Sequence, residues 1–231
     1  MSWKEEAKKR AAIEAVKHVR DGFVLGLGSG STVAYSIQEI GKRIKLEGLH
    51  LLGVPTSHQA FMLALCNGVP VTTLDEYPQI DLAIDGADQI DRELDLIKGM
   101  GGALTREKIV GSAAKRFIVV ADETKLTDKL GVGQPVPVEV LPFASSVVMS
   151  RLVKMGGKVV LRGSEGKVGP VVTDNGNFIL DADFGLIKNP RELDFKVKSV
   201  PGVVETGLFI DMVDIVYVGR RTTVQKLERT T

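Results

Sequence analysis

Three clusters in this 231-residue chain combine glycines with groups that bind anions or move protons. GLGSGST, residues 26 to 32, lies between a short apolar run and a helical pattern. Glycines there let backbone N–H groups turn towards an anion, and a helix N-terminus adds partial positive charge. Phosphate is the natural ligand, with hydroxyls from Ser31 and Thr32 and backbone donors from Gly28, Ser29 and Gly30. A tight turn with a Ser/Thr cap and no ligand is the plain alternative, and it stays open. A dinucleotide fingerprint fails in both registers, because its third glycine falls on Ser31 or on Val33. Where a ribose-binding acid is expected the chain has Val54, Pro55, Thr56 and Ser57, and no Gly-Lys-Ser/Thr ending makes a Walker loop.

The second cluster, IDGAD, puts Asp85 and Asp88 at the C-terminal end of an apolar strand, the edge of an open parallel sheet where ligands bind. A calcium loop starting at Asp81 is excluded, since its third position is Ala83 and its twelfth Arg92. A D-G turn followed by a helix-capping Asp remains the structural alternative. The third cluster, KGMGGALTREK, supplies a cation (Lys98), a second set of flexible backbone donors that includes Gly101 and Gly102, and a carboxylate (Glu107) at one strand-to-helix junction. With Thr105 as the expected helix cap, Glu107 also suits the positive end of the helix dipole. Lys125 follows another strand end, and Lys8 and Lys9 lie on the first helix, where solvated surface charges are the default. No zincin-spaced histidine pair, Ser/His/Asp set, G-x-S-x-G elbow or C-x-x-C motif competes.

These groups need elements to position them. Strands alternate with helices from FVLGLGSGST through LHLLGVP, VPVTTLDE, IDLAIDGAD and LDLIKG to KRFIVVADE, which predicts an α/β fold with a doubly wound, mostly parallel, Rossmann-like sheet. The N-terminal helix places Ala12, Ile13, Val16 and Val19 on its buried side, with Glu5–Lys9 and Glu6–Arg10 pairs on the wet side. Near residue 131 the texture changes. GVGQPVPVEVLP, with its three prolines, reads as an edge strand and linker, and a helix, strands and a further helix follow. Asn175-Gly176 between alternating apolar residues marks a hairpin turn. The expected division is a catalytic domain of residues 1–130 plus 207–231 and an inserted α+β, ferredoxin-like domain of residues 131–206, with VDIVYVG returning to the parent sheet.

Composition excludes other classes. With 30 basic and 29 acidic side chains, no global field recruits nucleic acid or an anionic membrane. Cys66 is the single cysteine, so no internal disulfide or cysteine-based zinc cluster is possible. The charged, helical N-terminus is not a signal peptide, and no run approaches a membrane span, so a cytoplasmic protein without nucleic-acid or membrane partners is expected.

Taken together, GLGSGSTV, DGADQID, KGMGGALTREKI, ADETK and VTDNGNFILD resemble the type A ribose-5-phosphate isomerases, over essentially the whole chain. The resemblance implies a pentose phosphate substrate, no cofactor and no metal, and a homodimer or homotetramer is expected. It implies that Ser29, Gly30, Ser31 and Thr32 hold the phosphate with Lys125 and a lysine of the first helix, Lys8 or its neighbour Lys9. Asp85, Asp88 and Lys98 would tend the sugar hydroxyls and ring opening, and Glu107 would be the base. This chain has Ser29 where the family usually has Thr, and Gly99-Met100-Gly101 where it has three glycines. Aldose–ketose conversion needs a base that moves a proton from C2 to C1 through an enediolate, and burial or a nearby negative charge should raise a glutamate towards a useful pKa. Lys98 would oppose that shift while stabilising the intermediate's negative oxygen. A sugar-phosphate-sensing domain without turnover is the rival, although one N-terminal helix leaves no room for a DNA-binding module.

Overall fold

A computed structural model describes residues 2–164, 166 and 168–229. The chain runs α1 (Trp3–Val16), β1 (Val24–Leu27), α2 (Ser31–Glu47), β2 (Leu52–Pro55), α3 (His58–Cys66) and β3 (Leu82–Asp85). Two short strands, β4 (Gln89–Ile90) and β5 (Leu96–Ile97), precede α4 (Leu104–Ala113) and β6 (Phe117–Asp122). Then come β7 (Val136–Val140), α5 (Ser145–Lys154), β8 (Lys158–Leu161), β9 (Phe178–Asp183) and α6 (Pro190–Lys198). The last strands are β10 (Val203–Thr206), β11 (Leu208–Phe209), β12 (Ile215–Gly219) and β13 (Val224–Glu228).

One compact unit comprises Met1–Ala87, Arg106–Lys125 and Met212–Thr231. Its sheet has the order β13-β12-β6-β3-β1-β2, parallel except for β13. β1, β3, β6 and β12 are buried at every position, as a parallel sheet covered on both faces requires. From β1 the chain moves outward to β2, then returns to the other side of β1 as β3, so the strand order reverses between β1 and β3. That switch point is where open α/β sheets bind ligands. Helix α1 lies on the sheet through Ala7, Ala11, Ala12 and Ala15, all fully buried. Small side chains bring its backbone so close that a Cβ on Gly219 would stand 2.0 Å from the Ala7 carbonyl oxygen. Ile13, expected in the core, is only half-buried, because the alanine stripe occupies the contact.

The other unit comprises Asp88–Thr105 and Leu126–Asp211. The sequence pattern places residues 88–105 with the parallel sheet, but β4 and β5 pair antiparallel and β11 adds to them as a separate three-stranded sheet. Two-residue strands carry too little pattern to reveal their sheet. The elements β7-α5-β8-β9-α6-β10 form an antiparallel sheet of order β10-β7-β9-β8, the split βαβ arrangement of a ferredoxin-like layer. β7 is therefore internal, not an edge. Its proline is tolerated because β10 pairs only with Val138, Glu139 and Val140, leaving Pro137 beyond the end of that ladder. The expected VPVTT strand is absent apart from a single Gly53–Val71 bridge, whereas β13 had no counterpart in the pattern.

Candidate active site

In the first unit, the register of β1 and β3 builds the site. Leu27 pairs with Ile84, so the next residues, Gly28 and Asp85, stand side by side at the carboxyl ends of the strands. Asp85 is 2% exposed. Its Oδ1 accepts the backbone N–H of Gly86 at 2.7 Å and of Ser29 at 3.1 Å. A Cβ at residue 28 would fall 2.2 Å from that oxygen, so glycine is required there by close approach. Gly30 needs glycine for another reason, its φ of 103°, and open space surrounds it.

The backbone donors expected for phosphate are already engaged within the protein. Gly28 N–H donates to Ile84 O at 3.0 Å, Ser29 N–H to Asp85, and Gly30 N–H to Gln59 Oε1 at 3.0 Å. The Ser29 hydroxyl bonds those of Thr56 and Ser57. What faces outward is the first turn of α2, whose leading N–H groups have no intrahelical acceptor by helix geometry. Ser31 is exposed there and Thr32 is half-buried. Lys8 joins them: its Nζ lies 3.1 Å from Ser31 Oγ and 2.8 Å from Glu5 Oε1, so Glu5 pairs with Lys8 instead of Lys9. The Lys8 bond, then a bond from Tyr35, holds the Glu5 carboxyl below its ordinary value. Lys9 points to solvent.

Helix α4 starts at Leu104, so Thr105 is not its cap, and the Thr105 hydroxyl donates instead to Glu139. Glu107 sits in the first turn and is 6% exposed. The helix is seated by glycines: a Cβ on Gly26 would meet Val110 at 2.5 Å, and one on Gly111 would meet Phe117 at 3.0 Å. This seating brings Glu107 and Asp85 to one narrow crevice, lined also by Gly28 and Thr56. Two buried carboxylates beside a helix N-terminus that suits anions can serve proton transfer on a phosphorylated substrate. Lys125 ends a short 3-10 turn after β6 and is half-buried.

The remaining predicted residues belong to the second unit. Lys98 directly follows β5, is 2% exposed, and has its ammonium 5.4 Å from the Phe209 ring centroid. Its N–H donates to Gly207 O at 2.8 Å. Asp88 Oδ2 accepts the Met100 N–H at 3.0 Å. Gly99 (φ 102°) and Gly102 (φ 80°) make the turn, while Gly101 is exposed in open space. Met100 is outside the left-handed region, so its side chain is accepted without backbone strain. Thr56, Ser57 and Gln59 join the glycine loop as further site residues. Their signal in the sequence is a hydroxyl pair at the end of the strand beside β1, a pattern that a turn or cap shares.

The family model described as ribose 5-phosphate isomerase A (phosphoriboisomerase A) matches residues 52–223. The chain belongs to the ribose 5-phosphate isomerase A family. It is 53% identical over 214 residues to ribose-5-phosphate isomerase A from Methanosarcina acetivorans, covering 93% of this chain and 90% of that protein. Against ribose-5-phosphate isomerase from Homo sapiens it is 52% identical over 224 residues, 95% of this chain and 72% of the relative. A solved D-ribose-5-phosphate isomerase in complex with phospho-erythronic acid matches with a TM-score of 0.96 at 48% identity, covering 99% of this chain and 100% of that one. Ribose 5-phosphate isomerase A from Methanocaldococcus jannaschii matches with a TM-score of 0.94 at 49% identity, covering 97% and 99%.

Proposed function

We propose that this family member interconverts D-ribose 5-phosphate and D-ribulose 5-phosphate through an enediolate, with Glu107 carrying the proton between C2 and C1. The reading rests chiefly on one observation: Asp85 and Glu107, both buried, line a single crevice at the sheet's switch point, where the glycine loop lies. The α2 N-terminus, Ser31, Thr32 and Lys8 are the proposed phosphate holders, with Ser29, Gly30 and Lys125 completing the set taken from the family resemblance. Asp85, oriented by two backbone amides, is suited to accept a proton from a ring hydroxyl and so to open the furanose. Asp88 and Lys98 tend the sugar oxygens, Lys98 stabilising the negative oxygen of the intermediate. Gly101 and Gly102 supply backbone near the sugar. This proton transfer requires no redox cofactor. We further place the enzyme in the cytoplasm, in the non-oxidative pentose phosphate pathway, as a homodimer or homotetramer, on the strength of the same resemblance.

The test is to incubate chelator-treated protein with ribose 5-phosphate and follow ketose formation. Conversion to an equilibrium mixture is expected. A chain that binds phospho-erythronic acid tightly yet forms no ketose would overturn the reading.

A further inference from the structure

Arg162 follows β8 and has no part in the roles above. It is largely buried, with 12% of its side chain exposed, and its guanidinium contacts run along both edges. On one edge, Nε donates to Asp181 Oδ2 at 2.8 Å and Nη2 donates to Asp181 Oδ1, a two-bond fork that fixes the plane of the group. Asp181 is itself held in β9, opposite Val160 of β8. On the other edge, Nη1 donates to the carbonyl oxygens of Gly99 at 2.9 Å and Met100 at 3.0 Å, and Nη2 lies 3.8 Å from Met100 Sδ. The Met100 N–H in turn donates to Asp88 Oδ2 at 3.0 Å. A single planar cation thus fixes the two peptide carbonyls directly after Lys98, and the segment it fixes also orients Asp88.

A clamp on the loop that leaves Lys98 and hydrogen-bonds Asp88 does more than fasten a surface turn. Gly99 and Gly102 give that loop a backbone of high intrinsic freedom, which must be removed if Lys98 is to stand at a set position. We propose that Arg162, clamped by Asp181, is a positioning residue for the isomerisation, holding the Gly99–Met100 backbone and through it Lys98 and Asp88. The proposal rests on the isomerase reading. A lysine cannot substitute, because an ammonium lacks the planar fork that meets a carboxylate on one edge and two carbonyls on the other.

The experiment compares wild type, Arg162→Lys and Asp181→Asn with ribose 5-phosphate, at a temperature well below each melting midpoint, with the folded fraction checked by circular dichroism. The proposal expects kcat of Arg162→Lys to fall roughly 10- to 100-fold, as for a misplaced reacting group, with KM changed less than about threefold. Asp181→Asn should shift in the same direction by less. Wild-type kcat in the folded variants, with only the melting temperature lowered, overturns it. Amide exchange adds a reading independent of turnover: the Met100 N–H, which donates to Asp88, should exchange faster in Arg162→Lys than in the wild type, and equal exchange overturns the clamp. An inert wild type contradicts the isomerase reading instead, and leaves Met100 exchange to decide whether the loop is held.

Discussion

Gly28 and Asp85 illustrate how little tolerance the site leaves at the scale of single residues. A Cβ at residue 28 would lie 2.2 Å from Asp85 Oδ1 and 2.6 Å from Asp85 Cα, and the latter is backbone that cannot turn aside. Gly28→Ala is expected to destabilise the chain by about 1–3 kcal/mol, as overpacking does, measured by urea denaturation, and to lower turnover with it. Asp85→Asn should slow reaction of the ring form more than that of an open-chain substrate; equal slowing of both contradicts a ring-opening role. Lys8, on Ser31, and Lys9, in solvent, offer a paired comparison. Lys8→Ala should raise KM roughly tenfold or more, the scale of a lost charged hydrogen bond, and Lys9→Ala should leave it near the wild-type value. The candidate residues were legible from type and strand-end placement. The Asp85–Ser29 bond was not, because it depends on the register of two strands separated by more than fifty positions in the chain.

At the scale of elements, Thr105 shows why a local pattern misassigns a boundary. A Thr before a charged helical start reads as a cap, yet α4 begins one residue earlier and the hydroxyl serves Glu139 of β7. Glu139 is fully buried and also accepts from Thr173 Oγ1 at 2.9 Å, Asn175 Nδ2 at 3.0 Å and Asn177 Nδ2 at 2.8 Å. The VTDNGN segment, legible as a hairpin turn, thus also surrounds a buried carboxylate, a pairing no local signal announces. Glu139→Leu should cost on the order of 3 kcal/mol or more, because several buried donors lose their acceptor. Glu139→Gln should cost much less, since its oxygen keeps three donors and the Thr105 hydroxyl can rotate to accept from the new amide. Equal losses in thermal or urea unfolding would contradict this account of the network.

At the scale of the molecule, the parallel sheet and the ferredoxin-like layer were legible because alternating elements of ordinary length carry their own periodicity. The grouping of residues 88–105 with Leu126–Asp211 was not, since it rests on two-residue strands paired far along the chain. The same parallel sheet sets an acid limit on stability. His18 bonds Tyr217 at 2.7 Å, and burial, then the nearby Arg116 and Lys226, push its pKa below the ordinary 6.5. The unfolded chain binds that proton more readily, so this contribution is complete above the unfolded value and is lost as pH falls through the folded one. Melting temperature should therefore drop on acidification from about pH 7 to about pH 5, and His18→Gln should flatten that part of the profile. Whether Glu107 moves the proton is decided by the kcat of Glu107→Gln with ribose 5-phosphate. As proton carrier Glu107 requires a fall of roughly 10²- to 10⁴-fold, the contribution of a general base, with ribose 5-phosphate binding largely preserved. A near-normal kcat in that variant would contradict that role.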